Sequence, residues 1–340
     1  MRHFIRLLAG GLAATCASAA LAASAMTQDF RLNGERLSSF EEPLAAQFGD
    51  ITFSLNGLID GALDADLNNS RKDDLDGRLT ANFEMSAVTQ LPIRWNVGLA
   101  YFGQYETIFD EDSYTDNIAG FISGSWGTIV GGEVADIVQE ETRRLRGAGN
   151  ARLAFDGPLG GLDDWGGGYV GQFGPSRLST IIDENGDVDF GWVWARPVGV
   201  AGYRYGLRYT NGDFRSDDGV TVFETDSVTG TFEHSYGRRN ISIGLGAERL
   251  EALGVEADRW YSSAGWQYQF GNIVLSAEGH YGEIEGEEEA SGALGAQYFL
   301  ARGLSANLGI NYSEAVVTLE TIPLLNRDEL QALLSLRYGY

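Results

Sequence analysis

The residues best equipped for chemistry are few. Three histidines occur, His3, His234 and His280, and a single cysteine, Cys16. Ser276, Glu278 and His280 alternate along one stretch and are the residue types of a hydrolytic triad. On an extended strand rising ~3.3 Å per residue, alternate residues stand ~7 Å apart, too far for direct hydrogen bonds in sequence. His234 and His280 have no partner His at metal-ligand spacing. No GxGxxG or GxxxxGK[ST] element is present. Neither a catalytic constellation, a cofactor nor a metal site is expected.

Charges offer a different possibility. Arg78, Arg94, Arg204 and Arg208 fall on the polar faces of alternating segments, whereas Glu133, Asp136, Glu140 and Glu141 gather in one polar link beside Arg143, Arg144 and Arg146. The three arginines read either as a network of ion pairs within the link or as a contact for phosphate or solute. The whole chain is strongly acidic, with 48 Asp and Glu against 24 Lys and Arg and a formal charge of −24. That balance excludes nucleic acid as a partner, because phosphate backbones are held by clustered Lys and Arg. Disorder is excluded too, since 44% hydrophobic and 11% aromatic residues are more than a disordered chain carries.

The elements that must position these charges begin after an export signal. Arg2 and Arg6 precede an apolar, alanine-rich run, Leu7 to Ala22, that ends in small residues, so residues 1–22 read as a secretory signal peptide. Its removal takes away Cys16 and leaves a net charge of −26 on 22 basic and 48 acidic residues. No disulfide or thiolate metal site can then support the fold. Residues 23–47 show no alternation and are read as a lead-in of unknown structure.

From residue 48 onward the hydrophobic period is two. Leu75, Gly77, Leu79, Ala81, Phe83 and Met85 alternate with Asp76, Arg78, Thr80, Asn82 and Glu84. Ile93, Trp95, Val97, Leu99, Tyr101 and Tyr105 oppose Arg94, Asn96, Gln104 and Glu106. Strands of this length approach the ~9 to 11 residues that cross a bilayer at a tilt. Tight turns at 90–92, 125–127, 197–199, 237–239, 270–272 and 301–303 alternate with polar links near 62–73, 107–116, 135–149, 212–221, 251–257, 283–289 and 315–327. This is the rhythm of a transmembrane antiparallel up-and-down β-barrel with short turns on one side. Parity of the strands gives 16, provided that 150–157 is a strand and 158–168 a turn. Alternation then turns Arg78, Arg94, Arg204 and Arg208 into the lumen as pore-wall residues.

Three stretches resemble the general porins of Gram-negative outer membranes: Ile51 to Leu63, with Gly57 and Asp60 in a Gly-x-x-Asp step; Trp126 to Gly132; and Asn150 to Pro158. The final strand, with Leu330, Ala332, Leu334, Leu336, Tyr338 and Tyr340 on one face, is similar to the aromatic carboxyl-terminal strand read by the barrel-assembly machinery. The resemblance implies a non-enzymatic homotrimer in the outer membrane, embedded among lipid and lipopolysaccharide, that passes small hydrophilic solutes and ions. It also implies a constriction loop, here 134–149 and short, that turns Glu133, Asp136, Glu140 and Glu141 toward the wall arginines. Asp60, Asp76, Glu84, Glu106, Glu233, Glu248 and Glu278 make the expected lumen acidic and its preference modestly cationic. The short loop leaves one alternative open, a plugged structural or adhesive barrel without channel activity.

Overall fold

The computed structural model describes residues 44–68, 75–108, 111–163, 165–198, 201–216, 219–319 and 322–339. The expected signal peptide 1–22, residues 23–43 of the expected lead-in and Tyr340 lie outside them. The strands are β1 (Leu44–Phe48), β2 (Ile51–Asp66), β3 (Leu75–Gln90), β4 (Asn96–Ile108), β5 (Glu111–Gly124), β6 (Gly127–Glu133), β7 (Trp165–Phe173), β8 (Ser176–Asp183), β9 (Val188–Val198), β10 (Ala201–Arg215), β11 (Val222–Tyr236), β12 (Arg239–Ala252), β13 (Val255–Phe270), β14 (Ile273–Ile284), β15 (Glu287–Ala301), β16 (Leu304–Leu319) and β17 (Ile322–Gly339), with one helix, α1 (Ile137–Thr142). Strands β2 to β17 form a closed antiparallel barrel of 16, each paired with its sequence neighbour. Closure joins β17 to β2, from Gln331↔Asp66 to Gly339↔Leu58.

The seam uses only the later part of β2. Its earlier part, Ile51 to Leu55, is covered by β1 through a two-residue turn at Gly49–Asp50. The last residues of the expected lead-in are therefore a strand that satisfies an edge which β17 does not reach. In lipid an open edge would leave its N–H and C=O groups without partners.

The barrel has the expected number of strands, but not from the expected segments. Asn150 to Gly157 is not a strand; it belongs to a long excursion that leaves β6 after Glu133 and returns at Trp165. The missing strand is supplied by a turn at Gly174–Pro175 that splits the next apolar stretch into β7 and β8. Gly174 has φ +62°, a conformation that costs glycine little, and proline follows it, so the turn chemistry was in the sequence. The link expected to form a constriction over 134–149 is consequently not short, because the next strand starts only at Trp165.

The polar links near 107–116, 251–257, 283–289 and 315–327 are also mostly strand. Leu253–Gly254 and Glu285–Gly286 are two-residue turns, and pairing continues to Ile108↔Glu111 and Leu319↔Ile322. Polarity there marks where the wall leaves the membrane; the hydrogen-bonded ladder itself continues.

Side chains sort by alternation. Leu99, Ile129, Leu207, Leu245 and Leu294 point outward and are each at least half exposed, a continuous apolar surface that needs lipid rather than water. Aromatic rings border it: Trp95, Trp126 and Tyr169 pack in sequence at the short-turn side, with centroids 5.7 and 6.4 Å apart. On β13, Trp260 and Phe270 stand ten residues apart, about 33 Å along the strand and about 25 Å once tilted, the height of an outer-membrane apolar band. Inside lie two apolar clusters. One joins Ala100, Phe102, Phe121 and Val130 to Val134, Ile137 and Val138 of the excursion. The other lies toward the long-link rim, around Phe223, Leu250, Ile284 and Leu324, with Phe155 and Leu159 packed against it.

Candidate functional site

The excursion between β6 and β7 folds into the barrel and travels along its inner wall, out to the closure seam and back. The outgoing leg starts with α1, whose Ile137 and Val138 are buried against the wall while Glu140 and Glu141 face polar surroundings. Arg204 on β10 donates to the carbonyls of Arg143, at 3.0 Å, and Glu141, and pairs with Glu233 at 2.7 Å. Thr231 donates to Thr142 O at 2.9 Å, and Leu145 N donates to Glu233 at 2.8 Å. Arg144 crosses to β14: Nη1 reaches Glu278 at 2.5 Å, and Nη2 reaches Asp156 of the returning leg at 2.6 Å. Ala148 N donates to Ser276 Oγ at 2.7 Å. At the tip, Asn150 Oδ1 accepts from Arg337 Nη2 at 3.2 Å, and Arg337 pairs with Asp60 across the seam at 2.6 Å.

The returning leg is held closer to the long-link rim. Arg152 N donates to Asn311, and Ser291 donates to Ala154 O. Arg259, fully enclosed, donates to the carbonyls of Phe155 and Gly157 at 2.9 and 2.8 Å while pairing with Glu289 at 2.7 Å and Glu248 at 2.9 Å. Its guanidinium lies 4.3 Å from the centroid of the Tyr261 ring. Leu159 N and Gly160 N donate to Glu248, and Gly161 forms a bridge with Asp213. Such an arginine is tolerated in a low-dielectric interior because its nitrogen donors all meet a carboxylate or a carbonyl.

Glycines make room for this path. A Cβ on Gly295 would stand 2.0 Å from Ala148 O, one on Gly309 2.3 Å from Asn150 O, and one on Gly206 2.8 Å from Thr142 O. The loop backbone therefore lies in a trough of inward-facing wall glycines.

The expected site residues separate into three groups. Arg78 (3.6 Å from Glu106), Arg204 and Arg208 face inward from the wall, and Arg208 forks onto Asp189 with contacts of 2.7 to 3.0 Å. Glu140 and Glu141 lie on the inward loop, where they pair with Arg143 and Arg177, each at 2.5 Å. Two placements differ from expectation. Arg94 is not on the wall: β4 starts at Asn96, and Arg94 sits exposed in the preceding turn with φ +62°. Glu133 ends β6, and its carboxylate accepts the Ile118 N–H at 2.7 Å, taking the ladder partner lost where Gly132 bends the strand. Asp136, also on the inward loop, is the exposed N-cap residue of α1. Tyr338 faces outward on the last strand.

The triad types are engaged separately. Ser276 accepts from the loop, Glu278 holds Arg144 and Gly147 N, and His280 Nε2 lies 3.0 Å from Glu289. Residues that sequence reasoning passed over carry much of the arrangement: Arg259, Glu289, Asp189 and Arg337. All share the inward phase of their strands, and that phase was the available signal.

No family model matches the chain, and no curated protein matches it. Solved structures do. The OmpT outer membrane protein of Vibrio cholerae, in its trimer form, superposes with a TM-score of 0.62 at 14% identity, covering 85% of this chain and 99% of that one. The fold is that of a porin-type outer-membrane barrel. A mutant of the Rhodopseudomonas blastica porin agrees, with a TM-score of 0.53 at 14% identity, covering 85% of this chain and all of the other. The resemblance to general porins read from short motifs thus has a counterpart in the whole architecture. Of those motifs, the step at Gly57 and Asp60 lies on the porin-fold seam strand, and Trp126 to Gly132 leads into the inward loop. The third, Asn150 to Pro158, forms the tip and returning leg of that loop.

Proposed function

We propose that the mature chain is a non-enzymatic channel of the Gram-negative outer membrane, through which small hydrophilic solutes and ions diffuse passively with a modest preference for cations. The observation that carries this reading is the course of the inward loop. Its polar bonds run to the inner wall from β8 to β17, so the loop lines a 16-stranded barrel instead of crossing it. Barrels of 16 strands are wide enough to leave an aqueous channel. Residues 1–22 direct export through the periplasm, Tyr338 and Tyr340 serve the barrel-assembly machinery, and lipid and lipopolysaccharide surround the outer face. A homotrimer is the assembly proposed, in line with the trimer form of the Vibrio cholerae protein.

The second reading is a plugged structural or adhesive barrel. It is favoured by the two interior apolar clusters, one of which binds Val134, Ile137 and Val138 to the wall. Single-channel recording in planar bilayers separates the two. Discrete conductance steps from protein with heat-modifiable gel mobility are expected; heat-modifiable protein that carries no current would leave the plugged barrel.

A further inference from the structure

The outside of the barrel is layered where β9 to β13 approach the short turns. Trp194, Tyr205 and Phe232 stand side by side in one cross-strand row, with ring centroids 5.6 and 5.0 Å apart. One same-face step nearer the turns, about 7 Å along the strand, the row reads Arg196, Tyr203, His234, Ile241 and Trp266. His234 lies flat on Tyr203, with centroids 4.7 Å apart and 5° between the planes. A further step brings together Tyr236, Arg239 and Tyr268, and the Arg239 guanidinium lies 5.7 Å from the centroid of the Tyr268 ring. Arg238 occupies the adjoining turn, where its carbonyl accepts the Gln269 N–H at 3.0 Å.

The charge of this corner is the reverse of the chain's. Residues 194–205, 232–243 and 264–275 contain four arginines and one carboxylate, in a chain with twice as many acidic as basic residues. That carboxylate, Glu233, faces the lumen and pairs there with Arg204. Arg196, Arg238 and Arg239 are left exposed at the outer edge, and none of them meets a carboxylate among the described residues. The outward Asp226 and Asp258 lie eight residues from His234 and Trp266, about 26 Å away along their strands toward the opposite rim.

A soluble anion would satisfy the guanidinium groups and leave the aromatic row bare. An apolar chain would do the opposite. A glycerophospholipid with a net negative headgroup matches both layers in their order: arginine forks donate paired hydrogen bonds to phosphate oxygens, and the aromatic row faces the acyl chains. We propose that this corner is a docking site for an anionic phospholipid in the leaflet on the short-turn side. Its phosphodiester sits over the Tyr203–His234 stack, one strand from Arg196 and one from Arg239, and its chains lie along Trp194, Tyr205 and Phe232. The proposal rests on the outer-membrane reading for its leaflet, the periplasmic one, and does not need current to flow.

Native mass spectrometry of the purified, full-length protein in neutral detergent, mixed with equal amounts of dioleoylphosphatidylglycerol and dioleoylphosphatidylcholine, tests it. Preferential retention of phosphatidylglycerol is expected, undisturbed by inorganic phosphate. Arg196→Gln with Arg239→Gln should lower that preference about fivefold for each arginine removed, the worth of one basic side chain beside an anionic surface. Arg94→Gln with Arg302→Gln, an equal change of charge in short turns outside the corner, should leave it intact. If the corner double variant loses heat-modifiable mobility, Arg238→Gln alone, in an exposed turn, should still lower the preference about fivefold. Equal retention of the two lipids by wild-type protein, equal losses in both double variants, or displacement by inorganic phosphate would overturn the proposal. Protein that conducts without preferring phosphatidylglycerol sinks the lipid site alone; protein that prefers it but does not conduct sinks the channel reading and leaves the lipid site standing.

Discussion

Arg259 shows how a single residue can hold a loop in place. It is fully enclosed, and its five donors are directed at Glu248, Glu289 and two loop carbonyls. Arg259→Met would strand two buried carboxylates and two carbonyls, at a cost of about 3 to 5 kcal/mol. A lowered unfolding midpoint in denaturant is expected, partly restored when Glu248→Gln and Glu289→Gln are added. Asp187 has the opposite effect on its surroundings. It lies in the turn between β8 and β9, where burial, and then the neighbouring carboxylates of Asp183, Asp213, Asp163 and Glu224, raise its carboxyl above the ordinary value. A carboxyl raised in the folded state binds more protons there than when unfolded, so its contribution falls as pH rises through its folded value. Asp187→Asn should therefore raise the melting temperature at pH 7, and the gain should vanish once the medium is acid enough to protonate the wild-type group. Thermal melts at the two pH values check both halves.

At the scale of elements, the loop and the wall are matched through glycines rather than through the loop alone. Gly295→Ala or Gly309→Ala would drive a methyl group into loop backbone at 2.0 to 2.3 Å, and backbone cannot swing aside as a side chain can. The barrel should still assemble, because neither position interrupts the β15–β16 ladder, but the loop should lift from the trough. Trypsin cleavage after Arg143, Arg146 or Arg152 in folded protein is the measurement, with several-fold faster cutting expected. Gly279→Ala, with open space at its Cβ, is the control that should leave the rate unchanged.

The same matching explains what the sequence could and could not reveal. Alternation is local, so the lipid and lumen faces of strands such as β3, β4 and β16 were legible residue by residue. Where a strand stops is set by pairing with a neighbour, so Glu287 to Glu289 read as a link although the ladder runs through them. Asn150 to Gly157 carries strand-like residues yet finds no strand partner, because the loop's side-chain and backbone bonds to the wall compete successfully for it. Gly174–Pro175, by contrast, was a turn signal hidden inside an apolar run. The candidate site divided along the same line: Arg204 and Arg208 followed from phase, whereas their partners Glu233 and Asp189 depend on register between strands.

For the molecule as a whole, the sequence suggests that acidity lines the lumen, and the ion pairs move that acidity elsewhere. Along the described inner wall, Asp60, Glu106, Asp189, Glu233, Glu248, Glu278 and Glu289 each face an arginine. Paired charges of opposite sign cancel beyond a few ångströms, so they order nearby water without much favouring either ion. The carboxylates that act on one another without such cancellation cluster where β8, β9, β10 and β11 reach the long-link rim: Asp163, Asp183, Asp187, Asp213 and Glu224. Selectivity should then originate at the mouth. A mouth potential is accessible to salt, with a screening length of about 10 Å at 0.1 M and about 3 Å at 1 M. In a KCl gradient the zero-current potential is expected to have cation-selective sign at low salt and to shrink as both sides approach molar concentration. Asp187→Asn with Asp213→Asn should reduce it at low salt, while Glu106→Gln, a change inside a wall pair, should alter it less. A potential of anion-selective sign, or one equally sensitive to the wall substitution, would place the controlling charge inside the barrel and not at its mouth.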